Sequence, residues 1–173
     1  AGCWLVAFGI ESGSEESLQK MKKGATKEEA RQAVKWAKEA GLKVYGYYLI
    51  GFPWETREHI METIEFAKEL NCDFVEFHIV LPFEGTELYE QVKGTSFLEK
   101  EAIGHDTFLN PVMNTGTLST KEILELKDLA IRETCLKPAY IINTLKNIKN
   151  VNEFLNYSKF GIRMIKNLVI KRK

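Results

Sequence analysis

The chain has 173 residues, of which 45% are hydrophobic and 28% are charged, a composition typical of a folded globular protein and not of a disordered one. Its 24 Lys and Arg residues balance its 24 Asp and Glu residues, so net charge gives no reason to expect a nucleic-acid partner. No apolar run approaches the roughly eighteen residues that a membrane-spanning helix needs. The three cysteines lie more than sixty residues apart, which excludes a disulfide framework and metal-ligand spacing and favours a reducing, cytoplasmic setting: Cys3, Cys72 and Cys135.

Three short segments have the composition of buried strands. Each is rich in aromatic or β-branched residues and is followed by Gly or Pro: Trp4 to Ile10, Val44 to Ile50 and Phe74 to Leu81. Helical patterns separate them. Thr26 opens the first helix, with Glu29 as its capping-box partner, and the second helix follows Pro53. This β–α–β–α–β order predicts parallel strands joined by right-handed crossovers.

Three parallel strands cannot close a barrel, and they leave sheet edges that proteins normally cover. The chain also begins on Ala1, close to the start of a predicted strand. We therefore expect the sequence to be a piece of a longer protein, with further strands before residue 1.

The pattern becomes helical beyond the third strand. Residues 94–118 are loop-like, a helix opens at Ser119 with Glu122 three residues on, and another begins at Pro138. A last amphipathic stretch spans Val151 to Ile170. The sequence thus predicts three regions: a βα region over residues 1–93, a loop-rich connection over 94–118 and a helical extension over 119–173.

Each predicted strand ends in a distinctive turn, and ligands of parallel βα folds bind at this edge of the sheet. In the first turn, Glu11 can accept two hydrogen bonds from a vicinal diol. In the second, Gly51 lets the backbone approach a flat ligand, and Pro53 fixes the turn. The third turn begins at Leu81. Glycine and proline also end strands that bind nothing, but three such turns at one edge favour a ligand site.

Taken in order, the three turns carry a family resemblance. The segments GIESGSEESLQKMKKG, YYLIGFPWET and HIVLPFEGTELY resemble the second half of a radical S-adenosylmethionine enzyme, with most similarity to the cobalamin-binding subfamily that includes the anaerobic magnesium-protoporphyrin ester cyclase. The resemblance covers residues 4–92 and extends more loosely to about residue 150. It implies an α/β fold in which residues 1–93 form the C-terminal half, strands four to six, of a partial (β/α)6 TIM-like barrel followed by a helical extension.

The resemblance also implies contacts to S-adenosylmethionine. Glu11, with Ser12 beside it, matches the position that contacts the ribose hydroxyls, and Lys23 matches the basic position that pairs with the methionine carboxylate. Lys22 is an alternative for that role. The implied contacts to adenine come from the other two turns: Gly51, Pro53, Val80 and Leu81.

One departure from the family limits what the chain can do alone. The CxxxCxxC motif that holds the [4Fe–4S] cluster is absent, as are the motif for the methionine amino group and a cobalamin-binding domain. We therefore expect no catalytic residue and no metal ligand here, and an inactive isolated chain. Cluster ligands, and any cobalamin, would come from the missing N-terminal half. In the full enzyme, the cluster would reduce the sulfonium and release a 5′-deoxyadenosyl radical for oxidative cyclisation, methylation or related chemistry.

A small-molecule substrate would need a cavity on the other side of these turns. Glu76 and His78 share one face of the third strand, and we predict that they line that cavity together with Tyr47 and Trp54. A half-buried pair without a functional role fits the positions of Glu76 and His78 equally well, and Trp54 could simply pack under the loops.

The C-terminal stretch is strongly basic. Residues 146–173 contain eight Lys or Arg and one acidic residue, Glu153. An amphipathic basic helix can lie on an anionic membrane surface or pack on the barrel with a solvated basic end.

Two other functions remain open. The chain could be a non-catalytic module that docks on a partner chain or a membrane. It could instead belong to the tRNA methylthiotransferase branch of the same superfamily, although a helical tail stands where a small RNA-binding β-barrel would follow.

Overall fold

The computed structural model describes residues 2–98, 112–146, 148, 150–151, 154–159 and 161–162. Part of the predicted loop, residues 99–111, and much of the predicted amphipathic stretch, including 163–170, lie outside these ranges. Three strands form one parallel sheet in the order β1-β2-β3, namely β1 (Leu5–Glu11), β2 (Lys43–Ile50) and β3 (Phe74–Ile79). The predicted parallel α/β arrangement is confirmed, with β1 and β3 at the two edges.

Six helices accompany the sheet in the described parts of the chain. They are α1 (Glu15–Lys20), α2 (Lys27–Glu39), α3 (Arg57–Leu70), α4 (Glu87–Val92), α5 (Thr120–Cys135) and α6 (Pro138–Lys146). The sequence did not predict α1, which is only six residues long. No helix among the described residues is both long and apolar enough to cross a membrane.

Capping boxes begin two of the helices at the predicted positions. At α2, the Glu29 amide donates to the Thr26 hydroxyl, and the Thr26 amide donates to the Glu29 carboxylate at 2.8 Å. Ser119 and Glu122 form the same pair of bonds at α5. These bonds satisfy amide groups that the first turn of a helix leaves without a partner.

One face of the sheet carries the helices and the core. Val44, Tyr48 and Ile50 point from β2 into this core, where they meet the inner sides of α2, α3 and α5. The alternate residues of the strands point away from these helices and are half-buried or exposed. We call this second side the open face; its residues are Ala7, Gly9, Tyr45, Tyr47, Leu49, Phe74, Glu76 and His78.

The chain divides into two compact units, residues 1–135 and 136–173. The first unit contains the sheet and helices α1 to α5. Helix α5 packs on β3 and α3, so it belongs with the sheet, although the sequence analysis had grouped it with the C-terminal extension. The second unit contains α6 and the helical residues 154–159.

Candidate functional site

The first strand ends in an irregular turn that carries Glu11. The pairing of β1 with β2 shifts register between Gly9 and Glu11, and the Glu11 backbone is left-handed, with φ at 68°. Lys23 then reaches back to this turn, and its Nζ atom lies 3.0 Å from Oε1 of Glu11. The two side chains are 31% and 20% exposed, so the pair is partly shielded from water. The structure therefore brings together two of the predicted site residues.

Gly9 gives this ion pair its room. A Cβ atom built on Gly9 would collide with Oε1 of Glu11 and would lie 3.3 Å from Nζ of Lys23. The ion pair thus lies directly over Gly9, where the open face has no side chain. Gly9 is the first residue of the segment GIESGSEESLQKMKKG, and its role is visible only once the Glu11 side chain is placed.

Lys22, the alternative to Lys23, has a different partner. Its Nζ atom lies 2.8 Å from Oε2 of Glu87 in α4, and both side chains are well exposed. Lys22 therefore belongs to a surface ion pair next to the site, while Lys23 belongs to the pair at the strand end.

Ser12 faces inward, not toward a ligand. Its side chain is fully buried, its Oγ atom lies 3.0 Å from Oγ1 of Thr63 in α3, and it accepts a hydrogen bond from the Ser14 amide. The Gly13 amide also donates to Thr63. These bonds anchor the first turn to α3, so Ser12 supports the turn that carries Glu11.

The second turn is organised by a carboxylate that the sequence analysis did not single out. Oε2 of Glu55 accepts hydrogen bonds from the Gly51 amide at 2.7 Å and the Phe52 amide at 3.1 Å. Gly51 has φ at +94°, a left-handed conformation that favours glycine. An acidic residue inside the otherwise apolar segment GFPWE was the available signal.

Glu55 also joins the second turn to the first. The Ser17 hydroxyl of α1 donates to Oε1 of Glu55 at 3.2 Å, and the Glu55 residue is only 1% exposed. Burial raises the pKa of Glu55, while the bonds from Phe52, Gly51 and Ser17 act in the opposite direction. One buried carboxylate thus fixes both turns at the same edge of the sheet.

The third strand supplies an apolar wall at this edge. β3 ends at Ile79, two residues before the predicted end, and the Val80 amide donates to the carbonyl oxygen of Ile50. Val80 and Leu81 are buried with the second turn in a small apolar cluster, which we call the edge cluster: Phe52, Val80, Leu81, Val92, Val112 and Met113. Pro53, in the second turn, is half-buried.

Trp54 packs under the loops. Its ring stacks on Phe52 with centroids 4.7 Å apart, and it lies against the edge cluster. Its buried indole N–H has no hydrogen-bond partner among the described residues. The structure therefore places Trp54 beside the edge cluster, whereas Glu76, His78 and Tyr47 lie on the open face.

The open face carries an aromatic and acidic cluster. The Tyr45 hydroxyl donates to Oε2 of Glu76 at 2.7 Å, and Nε2 of His78 lies 3.5 Å from Oε1 of the same carboxylate. Tyr47 stacks between its neighbours, with ring centroids 4.6 Å from Tyr45 and 5.9 Å from His78. Burial, with the bond to Glu76, raises the pKa of Tyr45 well above its ordinary value. Glu76 and His78, the two β3 residues predicted to line a substrate cavity, both lie on this face.

His59, in the first turn of α3, is largely shielded from solvent. Its side chain is only 15% exposed, and its Nε2 atom lies 3.3 Å from Oε2 of Glu16. Its Nδ1 atom accepts a hydrogen bond from the Thr56 amide at the start of α3. His59 therefore ties the first turn of α3 to α1.

The residues present do not fit an iron–sulfur cluster. Among the described residues, no group of three or more His, Cys, Asp or Glu side chains could hold a metal ion. Cys72 and Cys135 are buried, and burial raises the pKa of both thiols, that of Cys72 to about 11. Cys3 is exposed at the other end of β1. The three thiols are thus not grouped, and burial keeps those of Cys72 and Cys135 from forming the thiolate that binds metals.

A cavity of about 200 Å³ lies beside β1, but on its helix side. Its lining is mainly apolar and includes Phe8, Ile10, Ala30 and Phe66. Gly9, Ser12 and Lys23 of the first turn region also line it, whereas no residue of the second or third turn does. The candidate site is therefore the strand-end edge and not this cavity.

Comparison with known proteins identifies the family. Residues 1–67 match the radical SAM superfamily. An uncharacterized methyltransferase of Pyrococcus horikoshii is 38% identical over 83% of this chain and 31% of its own length. A Methanocaldococcus jannaschii protein named as a methylthiotransferase is 39% identical over 50% of this chain and 19% of its own length. The anaerobic magnesium-protoporphyrin IX monomethyl ester cyclase of Rubrivivax gelatinosus is 23% identical over 72% of this chain and 22% of its own length.

The matched part of this chain spans less than a third of each of these relatives. The relatives nevertheless agree with the family match, because their names describe methyl transfer, methylthio transfer and cyclisation. The chain belongs to the radical SAM superfamily, a family of enzymes that use S-adenosylmethionine and an iron–sulfur cluster.

Proposed function

We propose that this chain is the nucleoside-binding half of a radical S-adenosylmethionine enzyme, formed by strands four to six of a partial (β/α)6 barrel. Glu11 would accept hydrogen bonds from the ribose hydroxyls, and Lys23 would pair with the methionine carboxylate. The adenine ring would lie against the other two turns, on Gly51, Pro53, Val80 and Leu81.

The observation that carries this proposal is the Glu11–Lys23 pair above Gly9. An acceptor for a diol and a cation for a carboxylate stand 3.0 Å apart, on a position without a side chain. A ligand that carries a diol and a carboxylate can form hydrogen bonds with both groups, whereas a purely apolar ligand would bury the ion pair and offer it no hydrogen bond. Beside this pair, the edge cluster offers apolar surface for a flat ring.

The chain's own residues would bind and orient this ligand. Glu55 holds the backbone of the second turn in one conformation, so little ordering is needed when adenine arrives. S-adenosylmethionine, when bound, would supply the radical or the transferred group. The cluster ligands would lie outside this chain, in an N-terminal half, and the same holds for any cobalamin.

The reaction would be methylation, oxidative cyclisation or a related transformation of a small molecule. The names of the relatives support these reaction classes. The substrate would meet the open face, where Glu76, His78 and Tyr47 form a cluster of hydrogen-bonding and aromatic groups next to the Glu11 turn. Trp54 would support the second turn from beside the edge cluster, through its stacking on Phe52.

The decisive experiment compares two neighbouring ion pairs in the full-length protein. Lys23→Met and Glu11→Gln remove the pair at the strand end, whereas Lys22→Met and Glu87→Gln remove the surface pair beside it. We expect calorimetric titration with S-adenosylmethionine, under anaerobic conditions, to show affinity losses of about tenfold or more for the first two variants only. Equal effects of both pairs, or none, would contradict the proposed site.

The second candidate function is a non-catalytic module that docks on a partner chain or a membrane. The absence of a metal-binding group among the described residues is compatible with it. Iron and sulfide content of the full-length protein, purified anaerobically, and release of 5′-deoxyadenosine after reduction distinguish the two. Iron with deoxyadenosine supports the enzyme, and a protein without either supports the module.

A further inference from the structure

The segment that follows α5 exposes an unusual number of apolar side chains. Ten large hydrophobic side chains are exposed among the described residues, and seven of them fall between residues 141 and 162, with exposures from 44% to 73%: Ile141, Ile142, Leu145, Val151, Phe154, Leu155 and Ile162. Exposed apolar residues are normally scattered, and a concentration of them marks an interaction surface.

These residues have helical spacing. Residues 138–146 form α6, and residues 154–159 are also helical. In the sequence, an apolar residue recurs every seven positions, at Ile141, Ile148, Leu155, Ile162 and Val169. Residues 148 and 150 are not helical, so α6 and the later helical residues are separate stretches; within each stretch, helical spacing places apolar side chains on one side of the helix.

The same part of the chain holds its positive charge. Residues 146–173 contain eight Lys or Arg and one acidic residue, whereas residues 1–145 contain sixteen basic and 23 acidic residues. A chain with zero net charge is thus strongly polarised, with its acidic excess before residue 146 and its basic excess after it. Such charge asymmetry acts on partners at a distance even when the net charge vanishes.

We propose that residues 141–173, the basic apolar segment, bind the surface of a membrane that contains anionic lipids. The apolar residues would enter the boundary between headgroups and acyl chains, and the Lys and Arg side chains would contact lipid phosphates.

Other occupants use only half of these features. A second copy of the segment could cover the apolar residues, but it would bring two strongly basic stretches together. A nucleic acid would neutralise the basic residues, but it would leave the apolar side chains in water. An anionic lipid surface satisfies both at once.

The test uses the full-length protein and two kinds of vesicle, one of phosphatidylcholine alone and one that also contains phosphatidylglycerol. We expect the chain to sediment with the anionic vesicles, and added salt to weaken this binding. Two variants remove the two contributions separately: Ile141→Ser with Leu155→Ser, and Lys159→Glu with Lys166→Glu. We expect each to lower the fraction bound about tenfold.

Matched controls change the same residue types in the first unit. Trp36→Ser with Phe83→Ser removes two exposed apolar residues, and Lys35→Glu with Lys121→Glu reverses two exposed charges. Both should bind vesicles as the unaltered chain does, and thermal unfolding checks that every variant is folded.

Three results would overturn the proposal: no binding to anionic vesicles, equal binding by the charge-reversed variant, or self-association or nucleic-acid binding through this segment in place of vesicle binding. Because no substrate or S-adenosylmethionine is added, the outcome does not depend on whether the strand-end site binds S-adenosylmethionine.

Discussion

Lys23 and Glu11 are twelve positions apart in the chain, yet Nζ of the first lies 3.0 Å from Oε1 of the second at the end of β1. The backbone on each side of this contact is unusual, because Glu11 and Lys22 both have left-handed φ angles, 68° and 56°. Residues other than glycine adopt this conformation at a cost, and they keep it only where the surrounding structure holds them. The strained backbone thus coincides with the ion pair.

Replacement of Gly9 by alanine should disturb the site without unfolding the protein. The new Cβ would collide with the Glu11 carboxylate, and the collision is relieved by moving that flexible side chain away from Lys23. We expect Gly9→Ala to weaken S-adenosylmethionine binding by the full-length protein by on the order of 1–3 kcal/mol, as loss of a charged hydrogen-bonding group would. Calorimetric titration measures this loss.

Gly116→Ala is the matched control, since a Cβ at Gly116 would make only ordinary contacts, 3.7 Å or more from its neighbours. If Gly9→Ala binds S-adenosylmethionine as tightly as the unaltered protein does, the position of the Glu11 carboxylate does not matter for binding.

Glu55 should make stability depend on pH. Burial raises its pKa in the folded state, so the folded protein holds the proton more tightly than the unfolded chain does. The contribution of Glu55 to the free energy of unfolding is therefore fully present below the unfolded pKa and is lost as pH rises through the folded pKa. Glu55→Gln cannot titrate, and we expect the stability of the unaltered chain, relative to this variant, to fall as pH is raised from about 4 toward neutrality.

Urea unfolding at a series of pH values measures this difference. Glu62→Gln, on the exposed side of helix α3, removes an equal charge and serves as control. A stability difference between Glu55→Gln and the unaltered chain that stays constant with pH would disprove the assignment. Glu55→Ala should be destabilising at every pH, by on the order of 2 kcal/mol, because two backbone amides lose their acceptor.

Tyr45 should ionise at an unusually high pH. Its pKa is raised by burial and by the bond that its hydroxyl donates to Glu76, since a phenolate next to a carboxylate is unfavourable. Glu76→Gln removes the charge and should lower the pH at which Tyr45 ionises. The ultraviolet absorbance of phenolate, compared between each protein and its Tyr45→Phe counterpart, isolates this one tyrosine. A midpoint that Glu76→Gln leaves unchanged would mean that burial alone sets the pKa.

The capping boxes should contribute measurably to stability. Thr26→Ala and Ser119→Ala each remove the side-chain acceptor at a helix start, and each should lower the free energy of unfolding by about 1 kcal/mol. Thr26→Ser keeps the hydroxyl and should leave stability nearly unchanged. Chemical denaturation of these three variants measures the effect, and equal losses in Thr26→Ser and Thr26→Ala would contradict the capping role.

Much of the fold follows from local patterns in the sequence. The aromatic and β-branched composition of Val44–Ile50 predicted β2, and the helical pattern after Pro53 predicted α3. Helix α1 escaped prediction because six residues are too few for a helical period to be visible. The membership of α5 in the first unit also escaped, because packing against β3 is a long-range contact that no local pattern encodes.

The site was predictable in its residue types but not in its contacts. Strand-end turns drew attention to Glu11 and Gly51, whereas the choice between Lys22 and Lys23 depended on where α4 places Glu87. Ser12 was expected to face a ligand, but its hydroxyl lies against Thr63, fifty-one residues further along the chain. The fold of the whole βα region brings Ser12 and Thr63 together, so the sequence around Ser12 does not indicate this contact.

The sheet has two edge strands, β1 and β3, and each pairs on only one side with a described strand. An edge strand presents backbone groups that are ready to accept a further strand, and a strand from another molecule can take that place. A chain produced without the strands that would flank this sheet should therefore be prone to aggregation. A longer protein, with further strands that pair with β1 or β3, should be more soluble than this chain. A comparison of the two solubilities would test this pairing without an activity assay.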